Sequence, residues 1–336
     1  MADRNTVRGD AMRMVSAGYM PVDVVFPFQG EPYRGIGGTS ANVALILAFL
    51  GWDAALAGQI GDDVLADEFE CEARASGASV DLIRRASGAE TVRILHRVEA
   101  DGHTYAYTCP RCHRRFPRSR PLTLDLARQV AEVQRDVDVF FFDRVNAGTV
   151  WLAEHYAELG AEIMFEPSLP TGGALFRRAC EASSIVKHSG DIDLPIPPTL
   201  PSSRPNQVRI VTNGAAGLTY QRGLLPPKHL PAIPTLTVDT AGAGDWTTAA
   251  LLYSTCSADG LDDTKIEEGL RLGQALAAVC CSVVGARSLM RLRPKTVLTR
   301  ARDVLAANSL ETAPRVPAPA KRNEVHSQCS LCALEL

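Results

Sequence analysis

The sequence feature with the clearest chemical potential is a glycine-rich turn that ends in an aspartate, Asp239-Thr-Ala-Gly-Ala-Gly-Asp245. The pattern predicts a strand end, a tight turn and the first turns of a helix. The backbone N–H groups of Ala243, Gly244 and Asp245 would then lie unpaired at a helix N-terminus, where the helix dipole favours an anion. Such a turn suits phosphoryl transfer, because its N–H groups can hold the phosphoryl group while Asp245 accepts a proton from the attacking hydroxyl.

Other interpretations of this turn are open at this point. Glycine and aspartate are common in ordinary turns and helix caps, so the stretch could be purely structural. A P-loop is excluded, because no Gly-x-x-x-x-Gly-Lys-Ser/Thr sequence occurs in the chain. The dinucleotide-binding fingerprint is incomplete, since Thr247 follows Gly242-x-Gly244-x-x, and the stretch lies far from the start of the chain.

The elements that must position this turn alternate between strands and helices. An apolar run predicts a first buried strand within residues 12–25. Further strands are predicted over residues 54–60, 137–142, 162–166, 184–186 and 208–212. Helices are predicted over residues 39–50, 61–76, 123–135, 147–159, 174–182, 246–257 and 263–281. This alternation indicates an α/β fold with a doubly wound, mostly parallel sheet flanked by helices.

Two polar residues interrupt otherwise apolar elements. Asp23 lies inside the first apolar run, where it either faces solvent at an edge or faces a polar ligand at the strand end. Asn42 lies in the first turn of a helix whose residues from Val43 to Leu50 are almost all apolar. A buried amide needs partners, so Asn42 is expected to bind either the backbone or a ligand hydroxyl.

The composition is that of an ordinary globular protein. The 336 residues carry a net charge of −3, and 46% are hydrophobic and 22% charged. Net acidity makes nucleic acid an unlikely partner. No apolar run reaches about 18 residues, so no membrane span is expected. The polar start lacks the apolar region of a signal peptide, so the nine cysteines indicate a reducing, cytoplasmic location.

The pattern also predicts three segments. Residues 1–11 are expected to form a flexible leader, and residues 12–311 the main domain. Alternating polarity over residues 91–108 around Asp101-Gly102 predicts a hairpin, so a small β lid is expected mainly over residues 20–36 and 91–120. Residues 312–336 combine a Pro/Ala-rich linker with a Cys-x-x-Cys sequence, and we call them the tail.

Several of these stretches together resemble the ribokinase-like (PfkB) carbohydrate kinase family over roughly residues 12–295. The matching stretches are Gly37-Gly38-x-x-Ala-Asn42, Gly58-Gln-Ile-Gly-Asp-Asp63, Val211-Thr-Asn-Gly-Ala-Ala-Gly217, Asp239 to Asp245, and Gln274 to Ala286. They occur in the family's order and spacing. The resemblance implies a doubly wound α/β domain with a β-sheet lid.

The resemblance also implies a reaction and its residues. ATP, with Mg²⁺ held mainly by phosphates and water, would phosphorylate a primary hydroxyl of a sugar or a nucleoside. Asp245 would be the general base, and Gly242, Ala243 and Gly244 would form the anion hole. The substrate would be bound by Asp23, Gly38 and Asn42, and the nucleotide site would be lined by Thr212, Gly214 and Gly217. A homodimer formed through the lid would fit the family.

The chain also departs from the family pattern. Glu166-Pro-Ser-Leu-Pro170 stands where many relatives have Asp-Pro-Asn-x-Arg, so the arginine is missing. Relatives that bind acidic sugars often use this arginine, so a ketosugar acid is a less expected substrate. Lys187 to Asp193 replaces the Asn-x-x-Glu sequence, with Asp191 or Asp193 as candidate substitutes. A catalytically degenerate kinase fold, acting as a metal-dependent binding or regulatory module, is therefore a different-class alternative.

Two cysteine pairs lie outside the family pattern, Cys109-x-x-Cys112 and Cys329-x-x-Cys332. Four thiolates from two such pairs suit tetrahedral Zn²⁺. The long separation between the pairs leaves open whether they meet, so a shared zinc site, a redox or regulatory role, and separate surface thiols are all candidates.

Five arginines follow the first cysteine of the lid, at positions 111, 114, 115, 118 and 120. The plain interpretation is a solvated basic loop. The functional alternative is recognition of a phosphate on a substrate or effector, because the guanidinium fork matches phosphate oxygens. Nucleic-acid binding is a weaker third interpretation, since the basic patch is local.

Overall fold

The computed structural model describes residues 11–28, 31–99, 102–169, 172–197, 199, 203–256 and 261–317, together with Cys329 and Cys332. Residues 1–10 of the predicted leader and most of the predicted tail beyond residue 317 lie outside this part. No helix in the described ranges is both long and apolar enough to cross a membrane.

The predicted α/β class is confirmed by a large, mainly parallel sheet. Its nine strands are β1 (Arg13–Ala17), β4 (Asp53–Ile60), β5 (Ser79–Arg85), β8 (Val139–Phe142), β9 (Glu162–Phe165), β10 (Ile185–Ser189), β11 (Val208–Thr212), β12 (Leu218–Arg222) and β13 (Lys228–Leu230). The order is β13-β12-β11-β10-β9-β8-β1-β4-β5. All strands from β11 to β5 in this order are parallel, and β12 and β13 extend the sheet antiparallel.

Eight helices cover the two faces of this sheet in the described residues. They are α1 (Thr39–Phe49), α2 (Val64–Ala75), α3 (Leu124–Val133), α4 (Ala147–Glu158), α5 (Ala174–Ala182), α6 (Ala243–Thr255), α7 (Asp263–Cys281) and α8 (Pro294–Ala307). Side chains of β8 alternate between the faces, with Val139 and Phe141 on one and Phe140 and Phe142 on the other. The first pair packs with the layer of α1, α2, α6, α7 and α8, and the second with the layer of α3, α4 and α5.

A second, four-stranded sheet forms the lid. Its strands are β2 (Val22–Phe26), β3 (Tyr33–Ile36), β6 (Arg93–Glu99) and β7 (Gly102–Ala106), in the order β3-β2-β6-β7. The hairpin expected around residues 101–102 is β6-β7, which pairs antiparallel.

The prediction of one strand within residues 12–25 is wrong. The chain forms β1 in the main sheet, leaves it at Gly18, and enters the lid as β2. The separation places Asp23 in the lid and the end of β1 in the main sheet.

Candidate active site

The carboxyl ends of the parallel strands define the edge at which the site lies. Ligands of open α/β sheets bind at this edge, because loops and helix N-termini converge there. Two contacts place the start of α6 over it. Lys187 on β10 donates from Nζ to the carbonyl of Gly244 at 3.3 Å, and the Thr248 hydroxyl donates to Glu166, just after β9, at 2.5 Å.

The turn before α6 is held by the buried carboxylate of Asp239. Its two oxygens accept hydrogen bonds from the N–H groups of Ala241 at 3.0 Å and Gly285 at 2.8 Å. Gly242 adopts a left-handed conformation with φ 84°, and a side chain there would overlap Ala286. The turn is therefore fixed against the loop after α7 and requires glycine at this position.

The same turn leaves N–H groups available to a ligand. Ala243 donates to the carbonyl of Thr240 at 3.3 Å. In the described part of the chain, neither the N–H group of Gly244 nor that of Asp245 donates a hydrogen bond. Of the three N–H groups considered from sequence, these two remain available at the helix N-terminus, where an anion is favoured.

Asp245 and Asn42 meet at the centre of the site, although 203 residues separate them. The Asn42 amide Nδ2 donates to Asp245 Oδ2 at 2.7 Å, and both side chains are buried. Burial, followed by repulsion from Glu166, raises the pKa of Asp245 to about 7, although the Asn42 hydrogen bond and Lys187 oppose the rise. The carboxyl group therefore exchanges its proton near neutral pH, as a general base requires.

Asn42 also offers an acceptor that the protein itself does not use. Its Oδ1 is buried and has no hydrogen-bond partner among the described residues. An unsatisfied buried acceptor is costly unless a ligand supplies the donor. The hydroxyl of a bound substrate can supply that donor within reach of Asp245.

Two glycines bring the lid and the main domain close together beside this pair. A side chain at Gly37 would overlap the Asp23 carboxylate, and one at Gly38, which has φ 82°, would overlap the Tyr19 carbonyl. Gly38 is also the residue that precedes α1. The Gly37-Gly38 sequence therefore lets Asp23 approach the N-terminus of the helix that carries Asn42.

Asp23 faces a cleft of about 270 Å³ between the lid and the loop after α7, lined also by His96, Gly285 and Arg287. Burial raises the pKa of Asp23 to about 7, although His96 and Arg287 oppose the rise. His96 Nε2 lies 3.6 Å from Asp239 Oδ1. The lid thus carries a second carboxyl group that titrates near neutrality.

A buried ion pair that sequence reasoning did not assign lies beside the anion-binding turn. Lys187 Nζ contacts Glu166 Oε1, and the lysine side chain is 2% exposed. The signal in the sequence is a lysine inside the apolar strand Ile185-Val-Lys187, because a buried charge needs a partner or a ligand. Asp191 and Asp193, considered from sequence as substitutes, are exposed beyond the end of β10.

The residues expected at the nucleotide lie at and just after the end of β11, next to the strand that carries Lys187. Thr212 ends β11, and Gly214 begins a short 3-10 turn. Gly217 has φ 91°, and a side chain there would overlap the carbonyl of Leu230. These residues share the sheet edge with Glu166 and the start of α6.

All five arginines of the basic loop are exposed. Arg120 lines a separate cavity of about 230 Å³ together with Arg144, Gly58 and Asn146. Arg144 also contacts Asp143 at 3.2 Å and lies over the Tyr19 ring at 4.6 Å. Arg144 is a second basic residue near the site that sequence reasoning did not single out.

The fold is an α/β domain with a β-sheet lid, and the Asn42–Asp245 pair lies at the centre of its candidate site. A sequence model described as pfkB family carbohydrate kinase matches residues 17–139 and 181–292. The chain therefore belongs to the pfkB family of carbohydrate kinases.

The sequence relatives include fructokinases. The chain is 26% identical over 308 residues to a fructokinase of Solanum tuberosum, covering 83% of this chain and 94% of that protein. It is 26% identical over 316 residues to fructokinase-2 of Solanum lycopersicum, covering 81% and 91%.

The solved structures that resemble the chain share its fold. Ribokinase from Giardia lamblia superposes with a TM-score of 0.69 at 17% identity, covering 89% of this chain and 100% of that one. A nucleoside kinase of Burkholderia thailandensis, solved in complex with inosine, gives 0.67 at 19% identity, covering 87% and 97%.

Proposed function

We propose that the protein transfers the γ-phosphoryl group of ATP to a primary hydroxyl of a small sugar, with Asp245 as the general base. The observation that carries this proposal is the buried Asn42–Asp245 pair beside the open N–H groups of Gly244 and Asp245. One side of this arrangement suits a hydroxyl group and the other suits a phosphoryl group. A base and an anion-binding turn at one point are what a phosphoryl transfer to an alcohol needs.

Acceptors of the main domain and of the lid together position the substrate and its attacking hydroxyl. It donates to Asn42 Oδ1 or to Asp245 while Asp23 of the lid binds a neighbouring hydroxyl of the substrate. Asp245 then takes the proton as the oxygen attacks the phosphorus. Because burial raises the pKa of Asp245 to about 7, the ionised carboxylate is available as a proton acceptor near neutral pH.

The charge that develops on the transferred group is met by fixed donors. The N–H groups of Gly244 and Asp245 point from a helix N-terminus, and the Lys187 ammonium contacts the Gly244 carbonyl at 3.3 Å on the same turn. Groups that are already in place need no reorganisation during the reaction, which makes them effective. Lys187 thus acts as a positive charge beside the anion hole.

Mg²⁺ would accompany the ATP phosphates and supply charge neutralisation there. Glu166, a buried carboxylate just after β9, already accepts hydrogen bonds from both Lys187 and Thr248. The donor set therefore fits a metal held mainly by phosphate oxygens and water, with Glu166 orienting such a water.

The preferred substrate class is a ketohexose or related sugar, because the fructokinase relatives cover more than 80% of the chain. A nucleoside is the second candidate, supported by the structural similarity to the nucleoside kinase that was solved with inosine. A panel of sugars and nucleosides, assayed for ATP-dependent ADP release, would separate them. Absence of turnover with the whole panel would favour the degenerate binding module.

The first prediction concerns Asp245→Asn. The amide keeps an oxygen that can accept from Asn42 but cannot take a proton, so we expect kcat to fall by about 10²- to 10⁴-fold while ATP binding is retained. Steady-state kinetics and ATP titration calorimetry measure the two effects. Asp81→Asn, an exposed carboxylate on β5, is the matched control. Undiminished turnover in Asp245→Asn would contradict the assignment of the base.

A further inference from the structure

The two cysteine pairs, separated by 220 residues, meet in one cluster on the lid. The Sγ atoms of Cys109 and Cys329 lie 3.9 Å apart, and those of Cys112 and Cys332 lie 3.6 Å apart. All four sulfur atoms lie within 4.8 Å of one another. We propose that Cys109, Cys112, Cys329 and Cys332 form a structural zinc site that fastens the tail to the lid sheet.

The spacing of the sulfur atoms matches a metal site better than any covalent link. A disulfide would bring two sulfur atoms to about 2.05 Å, and all four cysteines are free. A tetrahedral site with metal–sulfur distances of about 2.3 Å has sulfur–sulfur edges of about 3.8 Å. The observed separations of 3.9 Å and 3.6 Å bracket this value. These two distances therefore match the edges of a tetrathiolate zinc site, and the remaining sulfur–sulfur distances stay within 4.8 Å.

The backbone around Cys109 and Cys112 supplies hydrogen bonds that orient the first cysteine pair. His113 has a positive φ of 58°, and its N–H donates to the carbonyl of Cys109 at 3.0 Å. The N–H groups of Arg111 and Cys112 hydrogen-bond to the Cys109 sulfur. Such donors around a sulfur stabilise a metal-bound thiolate and orient it. His113 itself is exposed and is not a member of the cluster.

The cysteines belong to a small core that also contains Leu95 of the lid strand β6. Cys109, Cys329 and Cys332 are buried together with Leu95 and Phe116, and this small core is separate from the two large cores of the main sheet. Among the described residues, this small core buries few apolar side chains other than its cysteines, so a metal cross-link would stabilise it. Because the large cores do not include the cysteines, the main domain can fold without the metal.

The charges near the cluster complement a zinc tetrathiolate. Zinc with four thiolates carries a net charge of −2, so cations nearby stabilise it. Arginines 111, 114 and 115 of the basic loop belong to the segment that follows Cys109. This gives part of the basic loop a role without a phosphate ligand.

One buried arginine connects the metal cluster to the main domain. Arg93 on β6 is 1% exposed, and its Nε donates to the carbonyl of Cys332 at 2.7 Å. Its Nη2 atom contacts the Asp63 carboxylate at 2.8 Å, and Asp63 caps α2. Three residues after Arg93, the same strand carries His96 of the substrate cleft. The zinc site therefore holds the strand that contributes to the substrate cleft.

Metal analysis of the full-length chain, purified in reducing buffer without a metal-affinity step, tests the proposal. We expect about one zinc per wild-type chain and at least a tenfold lower zinc content in the Cys329→Ser/Cys332→Ser double variant. Cys71→Ser, an exposed cysteine outside the cluster, should retain the wild-type zinc content. Replacement of the zinc by Co²⁺ should give the intense absorption of tetrahedral cobalt thiolate.

Hydrogen–deuterium exchange separates loss of the metal from loss of the fold. In the double variant we expect faster exchange in β6 and β7 and unchanged exchange in β8 and β9. A wild-type chain with no zinc and four reactive thiols would overturn the proposal. So would iron in place of zinc, a disulfide within either pair, zinc retained by the double variant, or exchange that rises equally in both sheets.

Discussion

The proposed reaction depends on two carboxyl groups that titrate near neutrality, and this gives it an unusual pH dependence. Asp245 must be ionised to accept a proton, and we expect Asp23 to bind the substrate as a carboxylate, because the ionised form is the stronger hydrogen-bond acceptor. Burial raises the pKa of each to about 7. We therefore expect kcat/KM for the sugar, measured at saturating ATP, to fall as the pH decreases below 7, with a limiting slope of two in a logarithmic plot.

The magnitude follows from the two pKa values. For one group with a pKa of about 7, the ionised fraction falls about tenfold between pH 8 and pH 6. When both groups must be ionised, kcat/KM falls about 100-fold over the same range. Two aspartates at their ordinary pKa of 3.8 would remain ionised throughout, and kcat/KM would stay flat.

The Asp23→Asn variant is the matched control for this profile. It lowers kcat/KM at every pH because a substrate contact is lost, but it removes one titrating group. The limiting slope should fall to one, and the loss between pH 8 and pH 6 should shrink to about tenfold. A profile that is flat down to pH 5 would refute the pKa reasoning. A slope of two that persists in Asp23→Asn would refute the role of that carboxylate.

Two further predictions concern the neighbouring structure. Lys187→Met should raise the KM for ATP about 10- to 100-fold, because a charge-assisted contact at the anion hole contributes about 1.5–3 kcal/mol. Because Lys187 lowers the pKa of Asp245, its removal should also move the acid limb of the pH profile to higher pH. The control is the double variant Lys187→Met/Glu166→Gln. An unchanged KM for ATP in Lys187→Met would contradict the role of the lysine. Gly217→Ala should lower the free energy of unfolding by about 1–3 kcal/mol, because its φ is 91° and the added carbon overlaps a backbone carbonyl. Gly51→Ala has a similar φ of 100° in open space, so it should cost less in chemical denaturation, and equal costs would contradict the steric argument.

Periodicity and turn residues predict most of the main sheet and its helices. The helix over residues 39–50 and the strand over residues 54–60 differ from α1 and β4 by one residue at an end. The error over residues 12–25 has a local cause: the run is mostly apolar on both sides of the turn-forming Gly18 and Pro21, which are the main sign that the chain changes sheets. Burial on both faces removes the alternation that would have separated β1 from β2.

The site residues divide in the same way. Gly37, Gly38 and Asp245 belong to short motifs whose spacing is visible in the chain. The ion pair between Glu166 and Lys187 joins neighbouring strands, so it depends on strand order, which no local pattern reports. Whether Cys109 and Cys329 meet depends on the tertiary path of the intervening chain, and spacing alone left several alternatives.

A zinc site at the cysteine cluster would also set an order of events during protein synthesis. The second pair follows the first by 220 residues, and all strands and helices of the main domain from α3 to α8 are translated in between. At about 5–20 residues per second the first pair would wait about 10–40 s for the second. During that interval β6 and β7 can form, but the cluster lacks two of its four cysteines. The Cys332 carbonyl that accepts the hydrogen bond from Arg93 is also missing. The lid would therefore be the last part of the enzyme to mature, so a nascent kinase domain would be folded before its substrate cleft is complete.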